Sequence, residues 1–433
     1  MASSNLASRT EIFQISLQHT PMKILSIETS CDETAICIVE ATGPLTDPVF
    51  EVLGNSLFSQ IAHHTPFGGV VPTLAKREHA KNLSPLLLKT LTEAGMNTKT
   101  DMLTLEETWK NIETILIREE GLYSAMRESL TNIEKPLIDC IAVTSGPGLE
   151  PALWVGISFA IALGKLWGLP VLPINHMEGH IASVLLHSSV IPTEQDGLLS
   201  IEIKTPSSIR FPALALLISG GHTEIVSLSE WGKYTVIGQT RDDAVGEAFD
   251  KVARLLGLPY PGGPEISRLA KIARAENLPH ICKLPRPMIH SKNLEFSFSG
   301  IKTSVLYYIR DLHIAHPEKN SILTEEDKKD IAREFEDAVT NVLHSKITQA
   351  IKDTAAQTLI VAGGVISNIK LQETFMELEK EYAGLKVLIP EKNLATDNAV
   401  MIACAAYIQT LLHPELLSGA QKTIIAQGNL KLG

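Results

Sequence analysis

A strand, a short polar turn and a second strand occur twice in this chain, and that duplication constrains the fold more than any other feature. Met22 to Glu40 reads as a hairpin: apolar Ile24, Leu25 and Ile27, the turn Glu28-Thr-Ser-Cys-Asp-Glu-Thr34, then Ala35-Ile-Cys-Ile-Val39. Ala213-Leu-Ala-Leu-Leu-Ile218, Ser219-Gly-Gly-His-Thr223 and Glu224-Ile-Val-Ser-Leu228 repeat the order far downstream. Two such halves facing each other imply an α/β protein with a cleft between them. Between and after them the pattern predicts strands over Phe50 to Phe58, Ile138 to Thr144, Val171 to Ile174 and Thr358 to Ala362. Helices are predicted over Thr73 to Gly95, Ala152 to Trp167 and Gly246 to Leu256. Residues 96–135 read as a helical excursion, Ser188 to Phe211 as a polar loop, and Leu294 to Lys302, which alternates apolar and polar, as a strand.

With 433 residues the chain is long enough for two domains or one large two-lobed body. Its five cysteines are odd in number and lack C-x-x-C spacing, which argues against both a disulfide framework and a cysteine zinc knot and suits a reducing cytoplasm. No apolar run approaches the roughly 20 residues that span a bilayer, so no membrane is involved. Residues 1–21 read as a disordered leader before Met22, with an organellar transit peptide as the alternative. A net charge of -11 disfavours a general nucleic-acid scavenger and leaves RNA contact to local basic patches or to a partner.

The chemistry concentrates in Val171-Leu-Pro-Ile-Asn-His176-Met-Glu-Gly-His180. Imidazoles at i and i+4 share a helix face, and with the remote carboxylate of Asp397 they form a donor set that leaves coordination positions open on divalent iron or zinc. The same spacing also occurs on ordinary packed histidines. Zinc peptidases of the His-Glu-x-x-His type need Glu directly after the first His as general base, whereas Met177 stands there and the acid is Glu178, so a peptidase is disfavoured.

The turns offer nucleotide chemistry. Glu28 to Thr34 carries backbone N–H groups, three hydroxyls and the carboxylates of Asp32 and Glu33, equipment for cradling phosphate or simply for an ordinary hairpin turn. Asp32 is the candidate for proton transfer or for positioning water or an amine, with a turn cap as its plain role. The glycines of Ser219-Gly220-Gly221-His222-Thr223 let backbone approach an anion. Gly363-Gly364 at a strand end suits a nucleoside, with Asn368 offering a bidentate amide. Pro261-Gly262-Gly263-Pro264 covers a sugar or base or is a structural turn, and Asp250 bonds a ribose hydroxyl or complements a helix dipole. Walker A spacing is absent.

Taken together, Ile27-Glu-Thr-Ser-Cys-Asp-Glu-Thr34, Phe67-Gly-Gly-Val-Val-Pro72, Ser145-Gly-Pro-Gly-Leu149, His176-Met-Glu-Gly-His180, Leu217-Ile-Ser-Gly-Gly-His-Thr223, Gly246-Glu-Ala-Phe-Asp-Lys251, Tyr260-Pro-Gly-Gly-Pro264, Phe296-Ser-Phe-Ser-Gly-Ile-Lys-Thr303, Ala362-Gly-Gly-Val-Ile-Ser-Asn368 and Thr396-Asp-Asn398 closely resemble the tRNA N6-adenosine threonylcarbamoyltransferase family, in order over about residues 22–412. The resemblance implies the actin-like fold shared with sugar kinases and heat-shock chaperone ATPases: two lobes of duplicated mixed sheets flanked by helices, with a nucleotide cleft between them. It divides the chain into the leader, lobe I at 22–172 plus 391–412 with the insertion at about 96–135, lobe II at 173–390, and a C-terminal tail at 413–433.

The resemblance also implies threonylcarbamoyl-AMP as donor and, as acceptor, the amine of the adenine just 3′ of the tRNA anticodon. His176, His180 and Asp397 would hold the metal, iron first and zinc as the alternative. Leu217, Ile218, Ser219, Gly220, Gly221, Asp250, Gly263 and Asn368 would hold the adenylate. Implied partners are a paralogous actin-like subunit and a small ATPase, or a second copy in a homodimer. Asn175 stands where many relatives carry a further His, and the leader and insertion have no counterpart in the family pattern. A kinase or carbamoyl-transfer enzyme of the same fold would use the turns without needing the histidine pair. A silent scaffold paralogue would have lost that pair, which this chain keeps.

Overall fold

The computed structural model describes residues 20–100, 106–186, 188–190, 201–203, 209–315, 323–418 and 423–433. The leader, apart from its last residues, lies outside them. The chain divides into two compact units. The first draws its described residues from within Met1–Gln60, Val70–Ser208 and Asp397–Leu432, the second from Ile61–Gly69, Ile209–Thr396 and Gly433.

In the first unit β1 (Met22–Glu28), β2 (Glu33–Thr42), β3 (Val49–Ser59), β4 (Cys140–Gly146) and β5 (Val171–Asn175) lie in the order β3-β2-β1-β4-β5, and two short strands, β6 (Ser188–Val190) and β7 (Ile201–Ile203), extend the sheet beyond β3. β1 runs antiparallel to β2 and parallel to β4, and β4 runs parallel to β5. Strands buried on both faces must be apolar on both. Accordingly Leu25, Ile27, Ile36 and Ile38 join a core with helices Pro72–Glu93 and Glu150–Trp167, while the intervening Ser26 turns the other way and donates to the Ala399 carbonyl at 2.7 Å, at the start of helix Ala399–Leu412.

The second unit repeats the order with β8 (Ala213–Ile218), β9 (Thr223–Glu230), β10 (Lys233–Gln239), β11 (Thr358–Ala362) and β12 (Lys386–Leu388) arranged β10-β9-β8-β11-β12. Here too the first strand is antiparallel to the second and parallel to the fourth. The duplication read from the sequence is therefore a duplication of a whole mixed sheet. The second unit's largest helix, Glu325–Thr354, begins with a capping box in which Thr324 and Asp327 satisfy each other's backbone N–H groups.

Several expected elements differ. The described residues between 173 and 203 belong with the first unit, not the second, because helix His176–Ala182 packs on Ala399–Leu412, so closely that a Cβ on Gly179 would lie 2.9 Å from Ile402 Cδ1 and push that side chain aside. The short stretch Ile61–Gly69 belongs with the second unit. The described part of the C-terminal tail is fastened down, Gln427 N donating to Ser145 O at 2.8 Å and Gly148 N to Gly428 O at 3.1 Å. The polar loop Ser188 to Phe211 contains β6 and β7. Leu294 to Lys302 is not a strand: Phe296 makes an isolated bridge to Thr240, and helix Ser299–Ala315 then begins. The described part of the excursion at 96–135 contains helices Glu106–Ile115 and Leu122–Leu130, which bury Trp109, Ile112 and Met126 in the first core.

Candidate metal and adenylate sites

The histidine helix starts where β5 ends. Asn175 caps it, its Oδ1 accepting from Met177 N at 2.8 Å. His176 and His180 point the same way with ring centroids 4.6 Å apart. Asp397 immediately precedes Asn398, which caps helix Ala399–Leu412 by accepting from Met401 N at 3.0 Å. The two packed helices thereby bring Asp397 Oδ1 to 3.4 Å from His176 Nε2 and 3.3 Å from His180 Nε2.

Two observations show that this group fits a divalent cation. One ligand atom from each of the three side chains lies within 4.8 Å of the others. His180 is fully buried, yet neither of its ring nitrogens has an aligned hydrogen-bond partner, and a buried orphan of that kind costs about 1–3 kcal/mol. A cation at the focus of the three groups would give His180 Nε2, the nitrogen facing Asp397, a partner.

Glu28, at the end of β1, completes the arrangement and was not singled out by sequence reasoning. It is fully buried, and its Oε2 accepts from His176 Nδ1 at 3.1 Å and from Thr144 Oγ1 at 2.5 Å, while its Oε1 accepts from Ser30 N at 2.5 Å. A proton held on Nδ1 leaves Nε2, the atom facing Asp397, free as a ligand. Without a metal, burial pulls the His176 pKa down, but Asp397 and Glu28 outweigh it and raise it well above the ordinary value. Burial lowers that of His180. For both Glu28 and Asp397 burial acts upward, yet His176 brings the carboxyl below its usual value. Proton and metal therefore compete for His176, and metal binding releases a proton.

The turn after Glu28 is rigid. His79, buried on helix Pro72–Glu93, faces the Cys31 carbonyl with Nε2 at 3.0 Å and the Thr34 hydroxyl with Nδ1 at 2.7 Å. Gln60 N donates to Asp32 O, Leu149 N to Ser30 O, and Thr29 Oγ1 to Ala152 O. These bonds engage the Thr29 and Thr34 hydroxyls and the carbonyls of Ser30, Cys31 and Asp32, and the turn presents Asp32, which is 8% exposed, and Glu33. Burial first, then the neighbouring Asp32 and Asp397, pushes the Glu33 carboxyl well above its usual pKa, a second feature the sequence did not reveal.

In the second unit the candidate adenylate residues gather where the parallel strands β8 and β11 end. Leu217 and Ile218 are core side chains in β8, so only their backbone is available. Ser219 closes the turn, its N donating to His222 O and its Oγ accepting from His222 N. Gly220 and Gly221 are exposed, their N–H groups have no partner among the described residues, and a Cβ on either would meet open space. Gly246 N donates to Ser219 O, which ties helix Val245–Leu255 to the turn. Asp250 on that helix accepts from Gly262 N at 2.7 Å and so fixes the first turn of helix Gly262–Ala275, where Gly263 also faces open space. The Asn368 amide donates to Ser267 Oγ at 2.8 Å and to Glu336 Oε1 at 2.7 Å, and its oxygen caps helix Ile369–Glu381, so both donors are already spent.

A mixed sheet of order third-second-first-fourth-fifth present in duplicate, with two buried histidines beside a half-buried aspartate in the first copy and an open glycine turn in the second, defines an actin-like protein with a candidate metal centre. Residues 51–102 and 120–404 match the family described as tRNA N6-adenosine threonylcarbamoyltransferase. The chain belongs to that family. Proteins of that name from Herminiimonas arsenicoxydans and Burkholderia mallei are each 39% identical to it, the first over 91% of this chain and 94% of the relative, the second over 92% and 95%. Among solved structures, full-length HypF in its phosphate- and nucleotide-bound form is similar with a TM-score of 0.47 at 11% identity, covering 92% of this chain and 48% of that one. No described helix is long and apolar enough to cross a membrane.

Proposed function

We propose that this chain transfers the threonylcarbamoyl group from threonylcarbamoyl-AMP to N6 of the adenine 3′-adjacent to the anticodon, position 37, in tRNAs reading codons that start with A, releasing AMP. The convergence of His176, His180 and Asp397 inside a chain of this family is the observation that carries the reading. The amine attacks the carbamoyl carbonyl carbon, the bond from that carbon to the phosphate oxygen breaks, and a proton leaves the amine. Because an adenine amine is a poor nucleophile, rate must come from positioning and charge stabilisation.

His176, His180 and Asp397 would hold one divalent ion, iron in our reading and zinc as the alternative, which when bound supplies a Lewis acid for the donor's oxygens. Glu28 keeps the His176 proton on Nδ1. The free N–H groups of Gly220 and Gly221 and the helix start at Gly263 suit the adenylate phosphate. Asp250 holds that helix start in place. Asn368 supports the adenylate pocket through Ser267 and Glu336, or contacts the nucleoside after releasing one of them. Asp32 takes the amine proton or positions the amine. Glu178 accepts from Gln409 Nε2 at 2.8 Å, so it is engaged away from the histidines and offers no peptidase base. A paralogous actin-like subunit and a small ATPase, or a second copy of this chain, complete the assembly in the cytoplasm.

Asp32→Ala provides the test. AMP release in the presence of tRNA is expected to be abolished while adenylate affinity is retained; unchanged turnover removes Asp32 from the mechanism.

A further inference from the structure

Residues 278–293 form neither helix nor strand, yet their backbone is held along its length by side chains of one helix, Glu325–Thr354. Arg333 donates to Leu278 O and Pro279 O at 2.8 and 2.6 Å. Asp330 accepts from Ile281 N and Cys282 N, and Glu334 from Leu284 N, His280 Nε2 and Arg286. At the other end Lys346, fully buried, spends its ammonium on Ser291 O, Ser291 Oγ and Asn293 O at 3.1, 2.7 and 2.6 Å, and Gln349 donates to Lys292 O. Committing Asp330, Arg333, Glu334 and Lys346 to an irregular segment is costly unless its shape matters, because each must be desolvated. Met288 within the segment adopts a left-handed φ of 55°, which a non-glycine residue holds only when its surroundings impose it.

The segment presents positive charge. In a chain with 49 acidic residues none falls between Leu278 and Asn293, while Lys283, His290 and Lys292 are exposed and their side chains have no partner among the described residues. Arg286 is different: its ion pair with Glu334 makes it part of the clamp rather than of the outer surface. Elsewhere in this unit Lys251 is paired with Asp243 and Glu247, and Arg254 donates to Gly68 O.

We propose that the clamped loop 278–293 is a docking surface for the phosphate backbone of the tRNA, with Lys283 and Lys292 as the point charges; this rests on the function proposed above. A rigid cationic loop suits a phosphate backbone because phosphate contacts fix register and need no ordering of the loop on binding. Its position on an acidic protein localises an otherwise repelled polyanion.

The test is anisotropy of labelled, unmodified tRNA binding to the full chain over a salt series, with Lys283→Ala/Lys292→Ala beside wild type, and modification kinetics on the same samples. The double variant is expected to weaken binding about tenfold at low salt and to reduce the slope of log K against log salt by about 1 per lysine. The tRNA KM should rise with kcat unchanged, and Lys283→Arg/Lys292→Arg should restore both. An unchanged slope and KM in a protein whose wild type modifies tRNA overturns the loop assignment and leaves the function standing. Wild type that neither binds nor modifies tRNA overturns both. Loss of a protein partner with an unchanged tRNA slope makes the loop a protein contact and also overturns the proposal.

Discussion

Replacing Glu28 by Gln isolates what the buried carboxylate does for the metal ligands. Gln keeps the volume, and its oxygen still accepts from Ser30 N, where Glu28 Oε1 now does so at 2.5 Å. Its amide N–H groups then face Thr144 Oγ1 and His176 Nδ1, which lie 2.5 and 3.1 Å from the present Oε2. Nδ1 must become an acceptor, so the imidazole proton moves to Nε2, the nitrogen directed at Asp397. Losing a charge-assisted hydrogen bond and reversing the tautomer costs about 1.5–3 kcal/mol, an expected weakening of metal affinity of about 10–100-fold. Competitive titration of Fe2+ or Zn2+ against a chromophoric chelator measures this, iron under anaerobic conditions, with near-ultraviolet circular dichroism reporting the fold. Affinity within twofold of wild type, when His176→Ala abolishes binding, would refute the reasoning.

Two other side chains give independent checks. Burial raises the Glu178 carboxyl to about 7 from 4.5, so the stability it contributes is present when it is protonated, full below about pH 4.5, and lost as pH rises through 7. Glu178→Gln is therefore expected to stabilise the metal-free protein above neutrality by at most about 3 kcal/mol, less where solvent reaches the group, and to leave it nearly unchanged in acid; denaturant titrations across pH measure this, and a pH-independent difference contradicts it. His79 positions the turn that presents Asp32, so His79→Ala is expected to lower kcat about 10–100-fold with little change in adenylate KM, and His79→Gln to recover part of it. A loss confined to thermal stability would assign His79 to folding alone.

What was legible in the sequence was local or repeated. The i,i+4 histidines and the strand-turn-strand repeat state their geometry within a few residues, and both appear in the fold. Glu28 was hidden because its role requires knowing that β1, β4 and β5 lie side by side, a long-range pairing with no local signature. Asn368 looked available because Glu336, which engages its amide, lies 32 residues earlier on another helix. Leu294 to Lys302 alternates because Phe296 and Phe298 are both buried, but Asp242 accepts from Phe298 N and Ser299 N and starts a helix there. The lobe boundary fell at 172 rather than after the histidine helix because nothing local announces that Gly179 packs against Ile402.

Mass spectrometry of nucleosides from tRNA incubated with this protein, threonylcarbamoyl-AMP and its candidate partners, comparing wild type with His176→Ala, tests the central claim most directly. Threonylcarbamoyladenosine is expected with wild type, lost on chelation and restored by a divalent metal, and none is expected with the variant. Equal product from both proteins would contradict the assigned metal centre, and no product from wild type with any partner set would contradict the transferase reading itself.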